Sequence, residues 1–123
     1  MFEVEFYEDH SGIEPIKEFI MDLQTKAQNS KAARTRANKV LTHIRVLQQF
    51  GTRAGEPYIK HVDGDIWELR PVSDRILFFY FKDSKYILLH HFVKKTQKTP
   101  QKEIDQAKRN MIDHIERSKR DGK

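Results

Sequence analysis

The sequence contains no cysteine, so it can form neither a disulfide framework nor a cysteine metal site. A reducing cytoplasm is the natural compartment for such a chain. No apolar stretch approaches the roughly 20 residues that a membrane-spanning helix needs. The N-terminus, MFEVEFYEDH, also lacks the basic start and apolar run of a signal peptide. We therefore expect a soluble, cytoplasmic protein with no membrane partner.

The sequence signatures of several enzyme classes are also absent. There is no G-x-S-x-G nucleophile motif, no P-loop and no dinucleotide-binding fingerprint. His90 and His91 are neighbours on an expected strand, so they face opposite ways and cannot chelate one ion together. His10, His43 and His114 have no companion at ligand spacing. The sequence predicts neither a metal site nor a cofactor.

Charge is what the chain has in abundance, at 33% of its 123 residues against 37% apolar, a balance typical of one compact domain over residues 1–123. The net charge of +5 is unevenly distributed. Residues 1–24 hold seven acids and one lysine, whereas residues 25–62 hold eight Lys/Arg and one acid. This asymmetry favours a polyanionic partner, either nucleic acid or an acidic protein segment, although solvated helix faces explain part of it.

The N-terminal half predicts one strand and two helices. MFEVEF alternates apolar and acidic residues, as a half-buried strand does. A helix should follow with Pro15 in its first turn and apolar residues at helical spacing up to Leu23. Ser30 is the expected N-cap of a second helix, and Gly51 is its expected stop.

The C-terminal half predicts strands followed by a helix. Three strand signals occur in order: YIKHV, then GDIWELRPV, then RILFFYF together with YILLHHFV, with VDGD and KDSK as turns. RILFFYF does not alternate, which predicts a central strand covered on both faces. Thr99 should cap the last helix, with Pro100 at its first position. The buried stripe of that helix should comprise Ile104, Ala107, Met111, Ile112 and Ile115. The resulting order, β-α-α-β-β-β-α, is an α+β fold with a small, mainly antiparallel sheet.

The strongest candidate site lies in WELRPVSDR and the later FVKK. If Trp67 points into the core, Glu68 and Arg70 share the opposite face of their strand. Arg75 begins the next strand across a tight turn, and the lysine pair of FVKK ends the last strand of the same meander. The candidate catalytic residues are Glu68, Arg70, Arg75, Lys94, Lys95 and His61. Candidate contacts to a nucleic-acid backbone are Arg34, Arg36, Lys39 and Lys98.

These residue types suit a phosphodiester. Arginine binds phosphate oxygens in bidentate fashion, lysine supplies a mobile charge, and preorganised cations stabilise a developing phosphorane. A crowded lysine, or His61 near the same sheet face, could act as an acid or base. The alternative is a structural one: a cross-strand ion-pair network around Glu68, a histidine that only donates a hydrogen bond, and a solvated helix face at Arg34, Arg36 and Lys39.

GDIWELRPVSDRILFFYF followed by LLHHFVKKTQKTPQKEIDQAKR resembles the RelE/ParE toxin superfamily, in its phage-derived, HigB-like branch. Those proteins show a strand ending in E-L-R, then a strand that carries an arginine, then F-x-K-K leading through T-P into a final helix. All three occur here in order, within residues 56–112. The resemblance implies a RelE-like fold.

The resemblance also implies an endoribonuclease, the toxin of a type II toxin–antitoxin pair, which cuts mRNA on the ribosome without a metal. The ribose 2′-hydroxyl would attack the adjacent phosphate. Arg70 and Arg75 would hold that phosphate, Lys94 and Lys95 would neutralise charge or transfer a proton, and Glu68 would act as a base or orient an arginine.

Some relatives place an acid–base tyrosine near the final strand or helix, but no tyrosine follows Tyr86 here, so His61 or a lysine would have to substitute. The implied partners are the ribosome, mRNA and a cognate antitoxin of the helix-turn-helix, HigA-like type. Two other functions stay open: a gyrase-directed toxin of the ParE type, and a binding module without catalysis that grips RNA or an acidic protein.

Overall fold

A computed structural model describes residues 1–122, in which three α-helices pack on the two faces of one five-stranded sheet. The strands are β1 (Glu3–Phe6), β2 (Ile59–Asp63), β3 (Ile66–Leu69), β4 (Asp74–Tyr80) and β5 (Lys85–Val93). The helices are α1 (Pro15–Lys26), α2 (Lys31–Phe50) and α3 (Gln101–Arg120), with a short 3-10 helix at Gly51–Ala54. The expected α+β class is confirmed. Within residues 1–122, no helix combines the length and the apolar character needed to cross a membrane.

The sheet has the strand order β1-β5-β4-β3-β2, and every neighbouring pair is antiparallel except β1 with β5. Four strands follow α2, one more than the expected order, and the turn between RILFFYF and YILLHHFV lies at KDSK, as predicted. Asp83 and Ser84 in that turn have φ angles of 54° and 60°, and the Lys85 N–H donates to the Lys82 carbonyl. Two consecutive positive φ angles define the type I′ turn that suits a two-residue hairpin.

Strand β4 forms the centre of the sheet, and all its residues except Tyr80 are buried. Ile76 and Phe78 point to the core beneath α1 and α2, whereas Leu77 and Phe79 point to the core beneath α3. The prediction of a strand covered on both faces is therefore confirmed. A strand buried in this way provides a rigid platform from which its first residues can be positioned.

The predicted ends of α2 are also confirmed. The Ser30 hydroxyl oxygen accepts from the Ala33 N–H at 3.1 Å, which satisfies one of the free amides at the helix start. Gly51 ends the helix with a φ of 62°, and a Cβ at this position would lie 2.8 Å from the Phe2 ring. Both the backbone conformation and the close approach require glycine here.

Two expectations for α3 are wrong. The helix begins at Gln101, so Pro100 rather than Thr99 occupies the N-cap position. Ile112 is 52% exposed. The stripe that faces the sheet runs through Ala107, Met111 and Ile115. Ile112 follows Met111 and is therefore rotated about 100° around the helix axis, away from the sheet. The hydroxyl of Thr99 is instead used in the site described below.

A polar contact fastens the second half of α3 to the end of β1. The Tyr7 hydroxyl donates to Asp113 Oδ2 at 2.6 Å, and Arg117 forms an ion pair with Asp113 at 3.0 Å. Burial, the hydrogen bond to Asp113 and the charge of that carboxylate raise the pKa of Tyr7 to about 12. The contact joins residues 106 positions apart in the chain.

We predict that Tyr7→Phe lowers the free energy of unfolding by about 1 kcal/mol at neutral pH, since it removes one part-buried hydrogen bond. The pKa of Tyr7 is raised by folding, so its stabilising contribution is full below about pH 10 and is lost as the pH rises towards about 12. Urea unfolding across this alkaline range should therefore show a shallower decline for Tyr7→Phe than for the wild type. Tyr58→Phe, at a more exposed position, is the control, and an equal effect of both variants would contradict the prediction.

Candidate active-site cleft

A cleft of about 750 Å³ lies between strands β2 to β4 and the segment that leads from β5 into α3. Glu68 lies opposite Leu77, a residue of the core beneath α3, so the cleft opens on the α3 side of the sheet. Its charged lining includes Lys60, Glu68, Arg70, Arg75, Lys94 and Lys98. The structure thus brings together Glu68, Arg70, Arg75 and Lys94, as the strand pattern predicts, while their catalytic role stays a prediction.

Glu68 is a buried carboxylate placed between two arginines. Its Oε1 lies 3.5 Å from Arg70 Nε and 3.7 Å from Arg75 Nε, and only 3% of the residue is exposed. Its Oε2 accepts a 2.7 Å hydrogen bond from the Thr99 hydroxyl. Thr99 is therefore a cleft residue that sequence reasoning assigned to a helix cap. No local pattern reveals this contact, because it joins residues 31 positions apart.

Arg75 forms the floor of the cleft and is 5% exposed. Its Nη1 donates to the carbonyl oxygens of Val72 and Asp74, both at 2.8 Å. Burial lowers the pKa of Arg75, while the nearby Glu68 charge opposes that shift. An arginine stays charged in proteins, so the floor carries a fixed cation whose orientation is set by backbone oxygens.

Arg70 is held less tightly at the side of the cleft. Its Nη1 forms an ion pair at 3.2 Å with Glu56, a carboxylate whose side chain is 64% exposed. Its Nε is buried and makes no hydrogen bond in the described residues 1–122, despite lying near Glu68. A buried donor without an acceptor is costly, so Arg70 is fastened beside Glu68 by charge attraction alone.

Lys60 is the cleft cation that the sequence reasoning missed, and a β-bulge explains why. A regular hairpin between β2 and β3 would place His61 opposite Glu68, but the register shifts between His61 and Asp63. Lys60 therefore lies opposite Glu68, and His61 lies opposite Trp67. A register shift of one residue moves every side chain beyond it to the opposite face of the sheet.

His61 borders the cleft, but its imidazole is engaged elsewhere. The ring packs edge-on against Trp67 with 5.0 Å between centroids, and its Nε2 donates to the Gly64 carbonyl at 2.7 Å. These contacts match the structural alternative for this residue. Nothing in the arrangement directs the imidazole towards Glu68.

The lysines around the cleft differ in position. Lys94 is half-buried and lines the cleft, as does the exposed Lys98, whereas Lys95 is exposed and lies outside the lining. Within residues 1–122, no salt bridge engages Lys60, Lys94 or Lys98. Three uncompensated ammonium groups thus surround the arginine floor. The same residues contain no group of three or more His, Cys, Asp or Glu side chains arranged to hold a metal.

The cations predicted on α2 lie on the opposite side of the sheet from the cleft. Arg36 binds the buried Asp74 with two hydrogen bonds of 2.7 and 3.1 Å. Arg34 is exposed and donates to the Ala27 carbonyl, and Lys39 is exposed on the same helix. RNA contact by these side chains stays a prediction, and it would involve a surface separate from the cleft.

We predict that Glu68→Ala lowers the free energy of unfolding by about 3 kcal/mol, because it removes the carboxylate that pairs with the buried Arg75 guanidinium. Glu56→Ala is the matched control, since it removes the other carboxylate beside Arg70 but acts at an exposed ion pair and should cost less than about 1 kcal/mol. Urea denaturation at neutral pH measures both. Equal losses in the two variants would show that Glu68 does not hold the arginines.

Comparison with known proteins assigns the chain to a family. The family model for phage-derived Gp49-like proteins (DUF891) matches residues 18–112, more than three quarters of the chain and all the cleft residues named above. No curated protein matches the sequence. The protein therefore belongs to the phage-derived Gp49-like family, which is associated with RelE-like toxins.

Proposed function

We propose that this protein is the toxin of a type II toxin–antitoxin pair and that it cleaves mRNA on the ribosome at the cleft floored by Arg75. The toxin-like character of the Gp49-like family supports the general class. The observation that carries the specific activity is the fixed Arg75 guanidinium surrounded by three lysines without salt bridges. Such a set of cations is complementary to a phosphate that gains charge in a transition state.

The proposed reaction is an internal transfer of the phosphoryl group. The ribose 2′-hydroxyl attacks the adjacent phosphorus, the bond from phosphorus to the 5′ oxygen breaks, and the products carry a 2′,3′-cyclic phosphate and a 5′-hydroxyl. One proton leaves the 2′ oxygen and one reaches the 5′ oxygen. The protein supplies cations for the phosphorane and groups for these two transfers.

The cleft residues divide into fixed and mobile cations. Arg75 would bind the nonbridging oxygens from a fixed position, and the Arg70 guanidinium would assist from the side of the cleft. Lys60 and Lys94 would approach the attacking and leaving oxygens, neutralise charge there and transfer protons. Lys98, on the rim beside α3, would bind a neighbouring phosphate of the message.

Glu68 fits an orienting role better than that of a general base. One of its oxygens lies near both arginines and the other accepts from Thr99, so neither faces the cleft without a partner. A base must reach the proton that it removes. In this proposal Glu68 sets the positions of Arg70 and Arg75, and the acid–base chemistry falls to the lysines.

The proposal gives the protein two partners besides the message. The ribosome is a polyanion, and binding to nucleic acid is dominated by the neutralisation of phosphates, which the net charge of +5 favours. A cognate antitoxin, of the helix-turn-helix, HigA-like type, would keep the toxin inactive in the cell. Cytoplasmic location follows from this activity.

We predict that Lys60→Ala and Lys94→Ala each lower kcat on ribosome-bound mRNA at least about tenfold, which corresponds to about 1.4 kcal/mol of lost transition-state stabilisation. Arg75→Lys, which keeps the charge but loses the planar fork, should lower kcat about 100-fold. Cleavage of a labelled message by purified protein on programmed ribosomes provides the rates. Lys95→Ala should have a smaller effect than Lys94→Ala, because Lys95 lies outside the cleft.

Lys119→Ala, an exposed change at the far end of α3, is the control for net charge. Growth arrest on induction with intact mRNA would contradict the proposal and favour a gyrase-directed toxin. Ribosome binding without cleavage would favour a binding module that lacks catalysis. No arrest by the folded protein would rule out the toxin assignment itself.

A further inference from the structure

Asp74, the residue next to Arg75, has its side chain on the α1/α2 side of the sheet. The carboxylate is 2% exposed and accepts three hydrogen bonds: two from the Arg36 guanidinium and one from His91 Nε2 at 2.9 Å. Phe19 of α1 stacks on the His91 ring with 3.6 Å between centroids. The Asp74 carboxylate thereby joins α2, β4 and β5, and the His91 ring extends the cluster to α1.

The main chain of Asp74 reaches the other side of the sheet. Its carbonyl oxygen accepts from Arg75 Nη1, and the Val72 carbonyl accepts from the same nitrogen, both at 2.8 Å. Residues 71–74 form the turn between β3 and β4, which the Asp74 N–H closes by donating to the Pro71 carbonyl at 2.9 Å. The position of the Arg75 guanidinium therefore depends on the geometry of this turn.

The turn also fixes the start of the lysine-bearing segment. The Ser73 carbonyl accepts from the Lys94 N–H at 2.7 Å, which extends the pairing of β4 with β5 by one further bond. Two cleft cations, Arg75 in β4 and Lys94 directly after β5, thus share one support. Any shift of the turn would move both relative to a bound phosphate.

The turn is held in a conformation that its sequence disfavours. Val72 has a φ of 52°, a region that a β-branched residue rarely adopts, although its side chain is 66% exposed. Packing of the valine side chain cannot account for this angle. Backbone strain of this kind persists only where surrounding contacts enforce it, and it is concentrated at functional sites.

We propose that the Arg36–Asp74–His91 cluster is a positioning device for the cleft: from the far side of the sheet it holds the strained turn that orients the Arg75 guanidinium. Asp74, Arg36 and His91 are positioning residues, since none of them reaches the cleft. The proposal rests on the proposed function for its effect on cleavage. The order of the Arg75 guanidinium, by contrast, can be measured without any activity.

The cluster could instead stabilise the fold without influencing the cleft, and two variants of α2 separate these roles. Arg36→Ala removes both hydrogen bonds that the arginine donates to Asp74. The Arg36 side chain is 46% exposed, so its loss opens no buried cavity and the protein should stay folded. Val40→Ala destabilises the same helix by opening a cavity at a residue that is 1% exposed, and it keeps every hydrogen bond of the cluster. Arg45→Ala, another α2 arginine whose contact is to Thr42, is the control for loss of charge.

Nitrogen-15 NMR of the arginine side chains measures the effect on Arg75 directly. We expect restricted Arg75 guanidinium signals in the wild type, in Val40→Ala and in Arg45→Ala, and broadened or mobile signals in Arg36→Ala and Asp74→Asn. Titration with inorganic phosphate should show weaker binding in the last two variants. Wild-type Arg75 signals and phosphate binding in folded Arg36→Ala and Asp74→Asn would overturn the proposal.

Kinetics provide a second test. Arg36→Ala should lower kcat on ribosome-bound mRNA about tenfold, while Arg45→Ala should keep the wild-type rate. In an Arg75→Lys background the additional loss from Arg36→Ala should largely disappear, because the residue being positioned is gone. Fully additive losses would contradict positioning. A wild-type protein without nuclease activity would instead contradict the proposed function, and the NMR signals would still decide the positioning.

Discussion

The structure depends above all on the burial of a cation, the Arg75 guanidinium, at the junction of β4 and the turn before it. A charge withdrawn from water destabilises a protein unless it is paired and hydrogen-bonded. Here two backbone carbonyls accept from Nη1, and the Glu68 carboxylate lies 3.7 Å from Nε. Each partner in turn needs its own support: Thr99 binds Glu68, and the β3–β4 turn presents the carbonyls.

These requirements organise the cleft into a rigid floor and a mobile rim. Arg75 forms this floor and belongs to a strand that is buried on both faces, so its guanidinium cannot move without disturbing the core. The rim consists of lysines from β2 and from the segment before α3, which keep rotational freedom. Preorganised charge is what stabilises a transition state, and flexible ammonium groups can follow the substrate as it binds.

Sequence reasoning succeeded where local periodicity determines the outcome. The alternation of WELR and the tight turn before Arg75 were enough to bring Glu68, Arg70 and Arg75 to one face, and helical spacing located α1 and α2. It failed where a β-bulge of one residue, or a contact partner far away in the sequence, determines which way a side chain points. The bulge after His61 places Lys60, and not His61, opposite Glu68. Thr99, the expected helix cap, donates a hydrogen bond to Glu68 instead. The sequence pattern of α2 predicts a solvent-exposed cation at Arg36. The pairing of Arg36 with Asp74, which is 38 positions away in the sequence, depends on tertiary packing and has no local signal.

The most direct test of the account is cleavage of a message that carries one 2′-deoxynucleotide at the scissile position, compared with the all-ribose message on programmed ribosomes. The account predicts that the all-ribose message is cut to a 2′,3′-cyclic phosphate and a 5′-hydroxyl. The substituted message should stay intact at that site, because its nucleophile is missing. Equal cleavage of both messages would contradict the proposed chemistry, and no cleavage of either by the folded protein would contradict the assignment of the cleft as a ribonuclease site.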